Sequence, residues 1–172
     1  DRLTRINDVQ FVGFENFGFI ATDQSFLNAM GNTISFVASA VIIELILGLS
    51  LALLIQKLVI FKGLVRSILL APMFITPIAV GLMFRFLLNS EIGIIPFYLL
   101  RFGVSLDWFG PELALFSIVL IDVWQWTPFM LLAFYAGLQA LPVNPYRAAA
   151  VDGATPMQTF FKLTIPMICL LY

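Results

Sequence analysis

The most constraining feature of this sequence is a run of apolar residues from position 28 to position 55, which only Glu44 interrupts with a charge. About twenty apolar residues in a helix are enough to cross roughly 30 Å of bilayer hydrocarbon. Similar apolar stretches cover residues 67–88 and 113–141, and another begins at 163–172. We therefore predict an all-α fold, a polytopic transmembrane helical bundle that forms one domain.

The composition argues against several classes of function. The chain is 61% hydrophobic and only 11% charged, and its formal net charge of −1 provides no basic surface for nucleic acid. It contains no histidine and a single cysteine, which removes the commonest general base and the commonest transition-metal ligands. No glycine-rich phosphate loop is present either. We predict no catalytic residues, no metal site and no cofactor bound by this chain.

The second apolar stretch, 67–88, contains Pro72 and Pro77. Each proline removes a backbone donor, so this span should be kinked or broken where neighbours or water satisfy the freed carbonyls. Arg85, near its far end, is expected to anchor at the membrane surface. In the first stretch, Gly48 would allow a second helix to approach closely.

A polar segment, residues 142–162, separates the third and fourth apolar stretches. Asn144 is a candidate helix cap with Pro145 at the first helical position, and Asp152-Gly153 is a stop signal. Thr155 and Pro156 then repeat a start signal. The pattern predicts a helix of about two turns between two proline-marked hinges, which either docks on a partner or is a simple linker.

Basic residues indicate the orientation. Lys57, Lys62 and Arg66 fall within ten residues and have no acidic residue among them, which points this turn to the cytoplasm. Counting crossings places segment 142–162 on the same side. The opposite side would hold Arg2, Arg5 and Arg101.

Several polar residues fall within the predicted spans. Glu44 marks either a substrate pathway or a carboxyl that is protonated or hydrogen-bonded to a neighbour. Asp122, Gln125 and Phe129 share one helix face because they are three and four positions apart. That face would suit a sugar, offering hydrogen-bonding groups and an aromatic ring, or it would be a polar seam that holds helices together.

Segment 142–162 resembles the cytoplasmic coupling loop of membrane permease subunits in binding-protein-dependent ABC importers, and the sugar-transporting, MalF-like branch fits best. The matching residues are Leu141-Pro142, the stretch Tyr-Arg-Ala-Ala-Ala-Val-Asp-Gly-Ala at 146–154, Phe160 or Phe161, Ile165 and Pro166. Weaker matches occur in the same order at Phe11–Phe17, Ala71-Pro72, Thr76-Pro77 and Asp122–Phe129. Arg147 stands where the family pattern usually has glutamate, so we assign it no role that needs a carboxylate.

The resemblance implies a six-span permease of a bacterial or archaeal plasma membrane, with one span before Asp1 and further chain after Tyr172. It would import a sugar or related polyol by alternating access. The coupling helix would dock on an ABC ATP-binding subunit, which carries ATP and magnesium, through Tyr146, Arg147, Ala148, Ala149, Asp152, Gly153 and Ala154. A second permease subunit, an extracytoplasmic solute-binding protein and membrane lipid would be the other partners.

Three other classes remain open from the residues alone. An ion-coupled secondary transporter would use Glu44 and Asp122 as proton or cation sites. An intramembrane enzyme would need a nucleophile and base or a metal cluster. A structural membrane scaffold would tolerate changes in segment 142–162 without loss of transport.

Overall fold

The structure, a computed structural model, describes residues 13–170. The predictions that concern Arg2, Arg5, Phe11 and Tyr172 lie outside the described residues. The chain divides into two compact units, and the boundary falls between Ala38 and Ser39. The candidate functional residues all belong to the second unit.

Every regular element in residues 13–170 is helical. In chain order the α-helices are α1 (Glu15–Thr22), α2 (Gln24–Lys57), α3 (Lys62–Leu70), α4 (Pro77–Leu87), α5 (Ile94–Arg101), α6 (Ala114–Ala140), α7 (Val143–Val151), α8 (Pro156–Thr159) and α9 (Ile165–Cys169). A 3₁₀ turn at Ala71–Phe74 follows α3, and a π-helical turn at Phe160–Thr164 joins α8 to α9.

Two described helices, α2 and α6, are long and apolar enough to cross a membrane. Helix α2 is longer at both ends than the apolar run 28–55, since polar residues at its ends continue the same helix. The predicted all-α transmembrane fold is confirmed.

The helical segment from Lys62 to Leu87 is broken, as Pro72 and Pro77 predicted. The pieces Lys62–Phe74 and Pro77–Leu87 meet at an angle of 93°. Thr76 is extended because the ring of Pro77 disfavours the helical conformation in the residue before it. Pro77 then begins α4, where its missing N–H has no intrahelical partner to lose.

Helices α2 and α6 approach each other closely at Gly48. A Cβ atom at that position would lie 2.6 Å from the Cβ of Met130 and 3.0 Å from the nitrogen of Leu131. The expectation of a close helix approach at Gly48 is confirmed. Next to this crossing lies an apolar core cluster of Ala52, Ile55, Leu131, Tyr135, Leu138 and Ile168.

The segment 92–100, too short to cross a bilayer, contains α5 with Pro96 buried inside it. Arg101 lies at the end of α5, with its Cζ atom 5.1 Å from the centre of the Phe97 ring. The placement of Arg101 on the side opposite Lys57, Lys62 and Arg66 remains a prediction.

Candidate functional site

The first candidate site is segment 142–162, which begins with helix α7. The helix starts at Val143, after the extended residue Pro142, so the predicted start at Asn144 and Pro145 was wrong by about half a turn. Pro145 occupies the third helical position instead. A proline is tolerated there because the first N–H groups of a helix have no intrahelical acceptor.

The end of α7 agrees with the sequence prediction. Gly153 has a positive φ of 72°, which favours glycine. Its N–H donates to the carbonyl of Ala150 (3.3 Å), and the N–H of Ala154 donates to the carbonyl of Ala149 (2.9 Å). These two bonds form a Schellman motif, which satisfies the last carbonyls and fixes the direction in which the chain leaves the helix.

The next helix, α8, begins at Pro156, three residues after Gly153. The N–H of Gln158 donates to the Thr155 hydroxyl (3.3 Å), and the N–H of Thr155 donates to the Gln158 side-chain oxygen (2.9 Å). This is a reciprocal capping box, with Pro156 at the first helical position. Residues 152–155 are therefore a defined turn whose backbone geometry is set at both ends.

One side-chain contact ties α7 to the π-helical turn that precedes α9. The Tyr146 hydroxyl donates to Oγ1 of Thr164 (3.1 Å), and the Thr164 hydroxyl donates to the carbonyl of Thr159 (3.4 Å). Thr164 is only 6% exposed. A displacement of α7 would therefore be transmitted to the start of α9 through a hydrogen bond as well as through the main chain.

The seven residues predicted for coupling divide into two groups. Tyr146, Ala149 and Ala154 are half-buried on the inner side of the loop. The outward group, which is exposed, consists of Arg147, Ala148, Asp152 and Gly153. Val151 lies among the latter and is 87% exposed, so the tip presents an apolar side chain beside one positive and one negative charge.

The second candidate site lies between α2 and α6. Glu44 is only 5% exposed, and its carboxyl group lies close to the Asp122 carboxyl group on α6. A hydrogen bond between two carboxyl groups requires one of them to carry a proton. The second oxygen of Glu44, Oε1, is buried without a hydrogen-bond partner.

Gln125 and Phe129 are not part of this carboxyl pair. The Gln125 side chain is 5% exposed, and its Nε2 atom donates to the main-chain carbonyl of Ile75 (3.1 Å) at the break between the 3₁₀ turn and α4. Phe129 is 51% exposed. On the predicted face of α6, Asp122 thus pairs with α2, Gln125 stabilises the bend, and Phe129 is exposed.

Sequence reasoning missed Thr164 and Ile75. Thr164 is a single hydroxyl in an apolar stretch, and no local pattern marks it as the acceptor for Tyr146. Ile75 contributes only its carbonyl. The two prolines did signal that a carbonyl nearby would need a donor, but not which side chain would supply it. Among residues 13–170, no group of three or more Cys, Asp and Glu side chains is arranged to hold a metal ion.

Comparison with known proteins connects this architecture to a family. Residues 44–171 match the family described as binding-protein-dependent transport system inner membrane component. The chain is 36% identical over 168 residues to the trehalose/maltose transport system permease protein MalF of Thermococcus litoralis, covering 96% of this chain and 57% of that protein. It is 33% identical over 162 residues to the sn-glycerol-3-phosphate transport system permease protein UgpA of Escherichia coli, covering 92% and 54%.

Solved structures show the same fold. A bacterial alginate ABC transporter, crystallised with a periplasmic protein bound to an alginate pentasaccharide, superposes with a TM-score of 0.82 at 23% identity and covers 93% of this chain. A second structure, of a bacterial ABC transporter involved in alginate import, has a TM-score of 0.81 at 22% identity. The chain spans about half the length of the curated relatives it matches.

Proposed function

Since the chain belongs to the family of inner membrane components of binding-protein-dependent transport systems, we propose that it is part of the permease subunit of an ATP-driven importer. The solute would be a sugar or a related polyol, moved by alternating access. The observation that carries this proposal is α7, a short helix with defined ends, an exposed tip and a hydrogen-bonded connection to the next span.

The physical case for coupling rests on how α7 is held. A helix of nine residues is marginally stable alone, but the Schellman motif, the capping box and the bond from Tyr146 to Thr164 hold it in place. The exposed tip provides Val151 for an apolar contact on the partner, with Arg147 and Asp152 beside it. ATP-driven closure of the partner would push this tip, and Tyr146 would transmit the movement to Thr164 and α9.

The partners follow from this role. Two ABC ATP-binding subunits would bind ATP and magnesium and would carry out hydrolysis, while this chain performs no catalysis and binds no cofactor. A second permease subunit would complete the pathway, and an extracytoplasmic solute-binding protein would deliver the solute. The complex would lie in a bacterial or archaeal plasma membrane, with segment 142–162 facing the cytoplasm, and would have no nucleic-acid partner.

The substrate pathway would involve the polar face of α6. Asp122 and Phe129 would offer an acceptor and an aromatic ring to a sugar, a combination that suits hydroxyl groups and C–H surfaces. Glu44 would orient Asp122 through their shared hydrogen bond. Gln125 would act by holding the bend at Ile75, which shapes the pathway wall.

The experiment that tests this function is ATP-dependent uptake in vesicles that contain the full-length subunit and its partner subunits. Gly153→Ala should reduce uptake, because a side chain at positive φ costs about 1–2 kcal/mol and redirects the chain leaving α7. Gly103→Ala is the matched control, because Gly103 lies after the end of α5 and has a similar φ of 76°. As at Gly153, no heavy atom lies close to an added Cβ. Asp152→Lys tests the tip, with the exposed Glu112→Lys as its control.

Loss of uptake in Gly153→Ala and Asp152→Lys, with normal insertion and assembly, would support the coupling role. Normal uptake in both would mean that the segment is a linker, and the proposed function would then lose its principal support.

One observation favours a second candidate function. The carboxyl pair of the buried Glu44 and the half-buried Asp122, with one Glu44 oxygen unpartnered, is the kind of group that an ion-coupled secondary transporter uses. In that case uptake would persist without ATP and would collapse when an ionophore dissipates the ion gradient. For an ATP-driven importer, uptake should stop without ATP and should persist when an ionophore dissipates the ion gradient.

A further inference from the structure

Two basic side chains of α3 converge on one tyrosine of α6. The Lys62 Nζ atom lies 5.3 Å from the centre of the Tyr135 ring, and the Arg66 Cζ atom lies 5.9 Å from it. Tyr135 itself is 8% exposed, whereas Lys62 is half-buried and Arg66 is exposed. The two positive charges therefore lie beside the same ring, near the C-terminal end of α6.

This pair of charges has no acidic partner. Within residues 13–170, neither Lys62 nor Arg66 forms an ion pair with an acidic side chain, and the sequence has no Asp or Glu between Glu44 and Glu91. Like charges held together in this way repel each other, so an anion that bound between them would relieve the repulsion and gain attraction from both.

An apolar groove begins one turn beyond the charges. It has a volume of about 480 Å³ and is lined by side chains of α2, α3 and α6, among them Leu51, Leu69, Leu120, Trp124 and Leu131. Leu131 is four residues from Tyr135 on α6, and Leu69 is three residues from Arg66 on α3. The groove thus extends from the basic pair along α3 and α6.

The loop next to the basic pair has the character of a membrane-boundary segment. Val59 is 92% exposed, Ile60 70% and Phe61 72%, although all three are large and apolar. Exposed aliphatic and aromatic side chains between Lys57 and Lys62 are suited to the lipid interface, where apolar groups enter the bilayer and basic groups meet the headgroups. With this loop at the lipid interface, the basic pair would lie at headgroup depth.

We propose that the Lys62–Arg66 pair and the adjoining groove form a binding site for one anionic phospholipid. The phosphate would lie between Lys62 and Arg66, and one acyl chain would follow the groove past Leu131 and Trp124. The position of the charges at one end of an apolar groove matches the amphiphilic shape of a lipid. The site requires only that the chain is inserted in a membrane, so it does not depend on which solute is transported.

The test is lipid retention by the purified full-length complex. The complex is equilibrated in nanodiscs of phosphatidylcholine with a smaller share of phosphatidylglycerol, extracted into detergent, washed, and analysed for bound lipid by native mass spectrometry. We expect enrichment of phosphatidylglycerol over phosphatidylcholine. Each basic residue near an anionic surface contributes about fivefold in binding, so the double variant Lys62→Gln, Arg66→Gln should lower this enrichment about 25-fold.

Two controls separate this site from general charge effects. Arg85→Gln removes an exposed basic side chain at the end of α4 and should leave the enrichment unchanged. The double exchange Lys62→Arg, Arg66→Lys keeps both charges and should also retain the enrichment of phosphatidylglycerol. Equal losses in the Arg85 variant and in the double glutamine variant would overturn the proposal.

The groove is tested separately, in case the charge variants assemble poorly. Leu120 is 40% exposed and lines the groove, so Leu120→Trp should fill it and displace the lipid. Leu115, also 40% exposed and on the same helix, lies outside this groove and provides the matched Leu115→Trp control. A photo-crosslinker at position 120 that captures phosphatidylglycerol would support the proposal, whereas capture of a protein segment would show that another part of the complex fills the groove and would overturn it.

Discussion

The side-chain amide of Gln125 donates a hydrogen bond to the main-chain carbonyl of Ile75, which lies 3.1 Å away and fifty positions earlier in the chain. Ile75 precedes Thr76 and Pro77, where the two helical pieces meet at 93°. Pro77 has no N–H, and a break in a helix leaves backbone carbonyls without their intrahelical donors. Gln125 therefore supplies a donor to a carbonyl at this sharp bend.

Gln125→Leu should destabilise the protein by about 0.5–1.5 kcal/mol, since it removes the donor to the Ile75 carbonyl. Gln139→Leu, at an exposed position near the end of the same helix, should have little effect. Thermal unfolding of the detergent-solubilised complex provides the measurement. If both variants unfold at the wild-type temperature, the hydrogen bond does not stabilise the bend.

Gly48→Ala should weaken the contact between α2 and α6. The added Cβ would lie 2.6 Å from the Cβ of Met130, and overpacking of this kind typically costs about 1–3 kcal/mol. Gly81→Ala in α4 has open space around its new Cβ and should be neutral or slightly stabilising, because alanine is the better helix former. A lower unfolding temperature for Gly48→Ala alone would support the prediction, and equal temperatures for the two variants would contradict it.

Tyr146→Phe should uncouple ATP hydrolysis from uptake while leaving the complex assembled. The variant keeps the ring and loses only the bond to Thr164, which contributes about 0.5–1.5 kcal/mol. The ratio of solute imported to ATP hydrolysed is the appropriate measurement, with Tyr98→Phe, at a 54% exposed position of α5, as the control. In a double-mutant cycle with Thr164→Val, the two changes should be non-additive. Full additivity would show that the bond carries no coupling.

Glu44→Gln should be tolerated, because the amide can still hydrogen-bond to Asp122. Glu44→Leu should destabilise the protein by about 1–3 kcal/mol, since Asp122 would lose its partner within the membrane. Unfolding temperature and ATP-dependent uptake should fall together in Glu44→Leu and remain near wild type in Glu44→Gln. Equal behaviour of the two variants would show that the hydrogen bond between the carboxyl groups is unimportant.

The features that could be predicted from the sequence are those that a residue determines through its own backbone. The break at Pro72 and Pro77, the left-handed turn at Gly153 and the helix start at Thr155 all follow from residues that act on their own backbone. The start of α7 was placed too late because Asn144 and Pro145 form a good local start signal, whereas the extended Pro142 allows the helix to begin at Val143.

Contacts between distant elements could not be predicted. The spacing of Asp122, Gln125 and Phe129 correctly places them on one helix face, but spacing does not specify the neighbour that each side chain meets. Asp122 pairs with α2, Gln125 with the bend at Ile75, and Phe129 is half-exposed. The role of Thr164 depends in the same way on where Tyr146 is placed in three dimensions.

The π-helical turn at Phe160–Thr164 also affects how sequences of this kind are aligned and edited. A π-helical turn contains about one residue more than an α-helical turn, so removing one residue between positions 160 and 164 would restore an ordinary helix and leave the residues after it facing nearly the same directions. Pro166 and Ile168 would then keep their places. A gap of one residue between aligned relatives is therefore compatible with the same packing of α9 if it falls within 160–164, whereas the same gap inside an ordinary α-helix would rotate everything after it by about 100°.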